Sequence, residues 1–348
     1  MNPKVSVIMP MYNSEKYVGF AVESLLKQTF TNFEGIFIDD CSTDDTLAIA
    51  KSFDDPRIKI IKNEKNLGMP GSVRNVGIEL ARGEYLYFLD NDDIMIERSL
   101  ENLINMADRY KADVVSTITT LEASNSEFKY DDEIIDCCSI KAGILGEVSS
   151  DLKQRISDEI LSHHMHCAVW LSLFKKDLII NNNIRFPDSV GEDLFWLFDI
   201  ICATSKIIKI DKPVYIWRPR NESASHNARR LQQNINAVIM ISNYVYKKLM
   251  ALNIEDSDFI DNVTSHMAKS LLINYVLSFF KKEPTKTMNF IAEALTPTFG
   301  ENTPFIKSIL KNYILEYIEK QKLLQENDKL KNVITSIRDD IAQLINRR

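Results

Sequence analysis

Tyr85-Leu86-Tyr87-Phe88-Leu89-Asp90-Asn91-Asp92-Asp93 is an apolar and aromatic run that stops abruptly in four polar residues, three of them carboxylates. A short continuous apolar run bounded by polar residues suits a strand buried on both faces of a parallel sheet. Carboxylates crowded at the end of such a strand repel one another and lose hydration, so they call for a cation. Open α/β sheets hold their ligands outside the carboxyl ends of the strands. An oxygen-only donor set there suits Mg²⁺ or Mn²⁺, shared with substrate phosphates. The same residues also suit a solvated acidic turn in which Asp92 or Asp93 caps the next helix.

Upstream, Val5 to Pro10 reads as a buried first strand. Glu15 to Gln28 carries Val18, Val22, Leu25 and Leu26 at helical spacing, with Asn13 or Ser14 as N-cap. Phe33 to Ile38 is a second strand ending in Asp39-Asp40, Thr46 to Ser52 a helix, and Ile58 to Ile61 a third strand. A helix from about Met69 to Ala81 breaks at Arg82-Gly83 and leads into the Tyr85 run. Strands alternating with helices predict an α/β fold with right-handed crossovers and a mostly parallel central sheet.

Three loops gather along one edge of such a sheet: Pro10 to Asn13, Asp39-Asp40, and Asp90 to Asp93. None has the glycine spacing of a dinucleotide-binding turn or a P-loop. An aromatic ring, a base-reading acid and a metal-binding acid fit a nucleotide held without a glycine-rich cradle. Tyr12 can stack on a base or pack as a surface aromatic. The Asp40 carboxylate can accept from a ring N–H such as N3 of uracil, or cap the following helix as Ser42, Thr43 and Asp44 also could.

The stretches KVSVIMPMYNSEKYV (4–18), LLKQTF (25–30), FIDDCSTDDT (37–46), NLGMPGSVRNVGIELARGEYLYFLDNDD (66–93) and GEDLFW (191–196) together resemble the family 2 glycosyltransferases with the GT-A fold. The resemblance runs from Lys4 to about His226. It implies a domain over 1–226, with a nucleotide-sugar half over 1–116 and an acceptor half over 117–226. It implies that Asp40 contacts uracil and that Arg74 lies beside the nucleotide. Asp90 and Asp92 match the acids of the DxD motif, the second being the direct metal ligand, and Pro10, Tyr12, Asn13 and Asn91 fall on the same donor side. Asp193 matches the acid that takes the proton from the acceptor hydroxyl. On the residues alone, Arg74 is an exposed arginine on the Ser72 to Leu80 helix face. Glu192 and Asp193 are then acids in the first turn of an apolar helix, where the dipole favours them by about 0.3–1 kcal/mol.

Leu121 to Ser150 is polar and acidic without a clear period, and reads as an excursion or hairpin over the site edge. His163-His164-Met165-His166 does not place its imidazoles on one helix face, so these are structural or acceptor-pocket residues. Trp170 to Lys176 and Asn183 to Pro187 resemble acceptor-side segments of the family, with Ser172 where a lysine is common. Lys206 to Ile210 and Pro213 to Trp217 are two short strands. Arg218 to His226 then resembles the family segment that closes over the donor. Arg218 or Arg220 is implied on the leaving diphosphate, and His226 near the phosphates or the metal. An exposed loop is the alternative for all three.

A helical region follows over 227–315. In the last helix, over 316–348, Leu323, Asn327, Leu330, Ile334, Ile337, Ile341 and Leu344 alternate three and four residues apart. Asn327 at an a position, with Glu326 at g and Lys331 at e, predicts self-association through 323–344, foremost as a parallel dimer. A single helix docking back on its own domain is the other reading.

The 348 residues are 45% hydrophobic and 26% charged with a net charge of -7, which argues against a general nucleic-acid binder. Cys41, Cys137, Cys138, Cys167 and Cys202 show no metal-ligand spacing. No apolar run reaches the length of a membrane span, so the expected location is the cytoplasm, with peripheral contact at the inner membrane face left open. Two functions result. One is a metal-dependent inverting glycosyltransferase that uses Mn²⁺ or Mg²⁺, a UDP-sugar donor and a glycan or lipid-linked acceptor. The other is a non-catalytic sugar-nucleotide or glycan-binding scaffold of the same fold.

Overall fold

Strands that are apolar on both faces need cover on both faces, and the first half of the chain supplies it by alternation. In the computed structural model, β1 (Val5–Met11), α1 (Val18–Leu26), β2 (Phe33–Asp39), α2 (Thr46–Lys51), β3 (Ile58–Lys62), α3 (Pro70–Leu80) and β4 (Tyr85–Phe88) follow in order. Then come β5 (Ile94–Met95), α4 (Ser99–Tyr110), β6 (Val114–Thr117), β7 (Leu121–Glu122), β8 (Ile144–Glu147) and α5 (Leu152–Ile156). The remainder is β9 (Ser172–Lys175), α6 (Lys176–Asn181), α7 (Glu192–Ala203), β10 (Ile207–Ile210), β11 (Tyr215–Trp217), α8 (Leu231–Ala251) and α9 (Ser257–Leu271). The structure describes residues 2–117, 120–122, 144–161, 168–218 and 231–271. The chain divides into two units, Met1–Lys282 and Glu283–Arg348, and every described residue belongs to the first. The histidine run 163–166, Arg220, His226 and the heptad seam lie outside the described residues.

The main sheet has the order β3-β2-β1-β4-β9-β6-β10-β8. β1 pairs in parallel with β2 and with β4, so the winding reverses there and opens a crevice at the strand ends. β9 runs antiparallel between β4 and β6, and β8 is an antiparallel edge, which makes the sheet mostly parallel as the sequence predicts. Val5, Val7, Met9, Tyr85 and Tyr87 pack in one core with α1 and α4. Ile8, Leu86 and Phe88 join the other core with α3 and α7. Burial on both sides is why Tyr85 to Leu89 is apolar throughout, at about 1.5–3 kcal/mol for each large side chain fully buried.

A smaller sheet, β5-β11-β7, lies beyond the end of β4. It decides one alternative left open by the sequence. After Asp93 the chain enters β5, and α4 starts only at Ser99, with Arg98 as its cap residue and no side-chain cap bond. Asp92 and Asp93 therefore cap no helix. Asn13 and Ser14 are not caps of α1 either, since Tyr17 holds that position without a side-chain bond. Their groups tie the β1 loop to the β2 loop: Ser14 N–H donates to Thr46 Oγ1 at 2.6 Å, and Asn13 N–H to Ser42 Oγ at 3.1 Å.

The helices after residue 231 belong to the same unit as the sheet. Tyr244 of α8 donates to Asp199 Oδ2 of α7 at 2.6 Å, and Lys248 pairs with Asp199 Oδ1 at 2.9 Å. No helix among the described residues is long and apolar enough to cross a membrane.

Candidate active site

The carboxyl ends of β1, β2 and β4 open into a cleft of about 690 Å³, closed on its far side by the start of α7. Pro10, Tyr12, Asp40, Arg74, Asp90, Asn91, Asp92 and Asp193 all line it. These residues come from separate segments of the chain, and the parallel strand order brings them together.

Tyr12 sits at the rim with 49% of its surface exposed, a ring free to take a flat partner. Asn91 Nδ2 donates to the Pro10 carbonyl at 2.9 Å and so pins the acidic loop to the end of β1. Asn13 follows Tyr12 on the same loop, with a left-handed backbone at φ 44° and a side chain that accepts from Thr43 N–H at 2.8 Å. Asp40 is buried, yet it caps no helix: Asp44 Oδ1 accepts from Thr46 N–H, while Asp40 gathers the loop before α3. Its carboxylate accepts from Asn63 Nδ2 at 2.8 Å, Leu67 N–H at 2.9 Å and Gly68 N–H at 3.2 Å.

Asp90, Asp92 and Asp93 present carboxylate oxygens that lie within 4.8 Å of one another. Burial raises Asp93 well above the usual carboxylate range, and Asp92 and Asp90 raise it further by repulsion. Three crowded oxygen donors with that repulsion fit a hard divalent cation such as Mg²⁺ or Mn²⁺. Tyr215 orders the cluster from below. Its hydroxyl accepts from Asp90 N–H at 3.1 Å and bonds the Asp93 carboxylate, while its ring stacks on Trp170 at 4.2 Å. Nothing in the sequence around Tyr215 signals this role.

Arg218 meets the acid cluster through its backbone. Its backbone N–H donates to Asp93 Oδ1 at 2.8 Å, but its buried guanidinium lies over the rings of Tyr17 and Phe20, each at 5.2 Å. A cation is attracted to aromatic faces in this way. Arg220 and His226 lie outside the described residues.

Across the cleft, Gly191 caps α7 with φ 69°, a left-handed turn that aims Glu192 and Asp193 at the site. Asp193 keeps 22% of its side chain open. Burial pushes its carboxyl up to about 8; Arg74 opposes this, and Glu192 and Asp90 add to it. Arg74 lies in the cleft beside the acids and is 3% exposed, which sets aside the alternative of an exposed arginine on an open helix face. It donates to Asp90 Oδ1 at 2.8 Å, Asp193 Oδ1 at 3.0 Å and Glu192 Oε1 at 3.1 Å, over the Phe186 ring at 5.4 Å.

A parallel α/β sheet with this acid-lined crevice defines a GT-A-like fold, and comparison with known proteins agrees. The profile of glycosyl transferase family 2 matches residues 6–181. Glycosyltransferase GlyG of Streptococcus pneumoniae is 32% identical over 233 residues, 64% of this chain and 73% of GlyG. Poly(ribitol-phosphate) beta-N-acetylglucosaminyltransferase TarS of Staphylococcus aureus is 42% identical over 226 residues, 63% of this chain but 36% of TarS. The crystal structure of S. aureus TarS 1–349 in complex with UDP-GlcNAc superposes with a TM-score of 0.63 at 24% identity, covering 84% of this chain and 79% of that one; the likeness is one of fold. The chain belongs to glycosyl transferase family 2. It is a glycosyltransferase, which sets the scaffold reading aside.

Proposed function

We propose that this chain moves a sugar from a UDP-sugar, with UDP-GlcNAc the first candidate, to a hydroxyl of a cell-surface glycan or lipid-linked acceptor, with inversion. The observation that carries the reading is that Asp193 and the Asp90–Asp93 cluster line one cleft. The Asp193 carboxylate takes the proton of the acceptor hydroxyl as its oxygen attacks the anomeric carbon, and the bond from that carbon to the diphosphate breaks toward UDP. Asp92 and Asp90 would hold Mn²⁺ or Mg²⁺, which when bound neutralises the departing diphosphate. Tyr12 stacks on the base. Asp40 takes four bonds from three donors, the Leu67 N–H being shared between both oxygens, and would accept the uracil N–H in place of one half of that shared bond. Arg220 and His226 are assigned to the diphosphate and the cation on the family resemblance. The donor choice is supported by the name of TarS and its UDP-GlcNAc complex.

A donor screen tests this. UDP release from UDP-GlcNAc in Mn²⁺ should exceed that from GDP- and ADP-sugars and should stop in excess EDTA. Equal release in EDTA would remove the cation from the account, and preference for another base would remove UDP.

A further inference from the structure

We propose that Arg74 is the positioning residue that ties the base to the metal-side acids, one arm of its guanidinium holding Asp193 and Glu192 and the other holding Asp90. This rests on the reading of Asp193 as base and of Asp90–Asp93 as the cation site. Nη1 serves both Asp193 and Glu192, while Nη2 serves Asp90. The planar fork matches that division of labour; a lysine ammonium is a point charge and cannot hold both sides in fixed directions. Phe186 lies against the guanidinium at 5.4 Å and itself stacks on Trp196 at 4.2 Å, so the cation rests on the rigid core.

The arrangement has a consequence with two opposite signs. Asp90 is shared between Arg74 and any cation on the cluster, at 2.8 Å from the guanidinium. Taking that positive charge away leaves a more negative cluster, which binds a divalent cation more tightly. The same change removes an anchor from Asp193, and a misplaced base slows the chemical step. General damage to the fold would weaken both.

The test is Mn²⁺ titration by electron paramagnetic resonance, with and without UDP, on Arg74→Gln and Arg74→Lys, alongside UDP release from UDP-GlcNAc. For Arg74→Gln the Mn²⁺ Kd should fall about 3- to 10-fold while turnover falls about 100-fold. Arg74→Lys keeps the charge and loses the fork, so Mn²⁺ affinity should stay within about twofold of the native protein while turnover drops about tenfold or more. Unchanged or weaker Mn²⁺ binding in the Gln variant overturns the proposal, as does native turnover in the Lys variant. Should the Gln variant not fold, the Lys variant decides alone by the same two measurements. Failure of the underlying reading is separate: Asp193→Asn with native turnover rejects the base, and Asp92→Asn with native Mn²⁺ binding rejects the metal site, whatever the Arg74 variants do.

Discussion

Two groups of acids face the same cleft and carry different physics. Asp90, Asp92 and Asp93 are three carboxylates on one short turn, with oxygens within 4.8 Å, and Arg74 reaches this group through Asp90. Glu192 and Asp193 start a helix, where a dipole and the Arg74 guanidinium already offset part of their charge. In the proposed reading the first group takes the cation. The second leaves Asp193 with a raised proton affinity, the property a general base needs near neutral pH. Residue type alone does not assign these tasks; crowding and partners do.

The largest effect that separates the groups is expected from Asp92→Asn. It should cut UDP release by about a thousandfold or more, because a lost cation removes charge stabilisation from the diphosphate. Melting temperature should hold or rise, since the change relieves repulsion. Native release would break the assignment of that group.

The pH profile sharpens the other half. Only the carboxylate form of Asp193 accepts a proton, so turnover should fall about tenfold per unit below its pKa. The limb should lie at or below about 8, because a divalent cation on the opposite acids lowers the value that burial raises. Turnover that climbs as pH drops from 8 to 5 would contradict this.

Gly191 tests how the helix is aimed. An added Cβ would sit in a left-handed turn at φ 69° and against the Leu271 side chain of α9. Gly191→Ala should cost about 1–2 kcal/mol of stability by chemical denaturation and lower turnover several-fold, while UDP and Mn²⁺ still bind. Loss of nucleotide binding instead would place this turn on the donor side.

The smallest effect on chemistry is expected from the tail. Deleting residues 319–348 should lower the oligomeric state in light scattering and leave UDP release within about twofold, as the heptad seam lies far along the chain from both acid groups. A native protein that is already monomeric would end the self-association proposal.

How much of this was legible in the sequence follows the same division. The donor edge was, because buried strands write themselves as apolar runs and their ends as abrupt polar turns: Tyr85 to Leu89, then Asp90. Alternation implied a parallel sheet with its polar loops along one edge, whereas the pairing of β4 with β1 became visible only in the structure. Arg74 was picked out only through the resemblance, and its bonds to Glu192 and Asp193 were not legible, because those partners stand 118 and 119 positions away and helical spacing cannot show which face a distant helix will cover. Tyr215 was missed for the same reason, being 125 positions from the Asp90 N–H it accepts. The contact of the Arg218 guanidinium with the Tyr17 and Phe20 rings was not legible either, because those residues stand about 200 positions away.

The central claim is that one acid group holds the cation and the other takes the proton, and Asp193→Asn tests it most directly. UDP release from UDP-GlcNAc and the affinity for UDP with Mn²⁺ should be measured on the same preparation. The account expects release to fall about a thousandfold while nucleotide affinity stays within about threefold, since the lost proton acceptor belongs to the chemical step. Release at the native rate, or a collapse of nucleotide affinity, would contradict it.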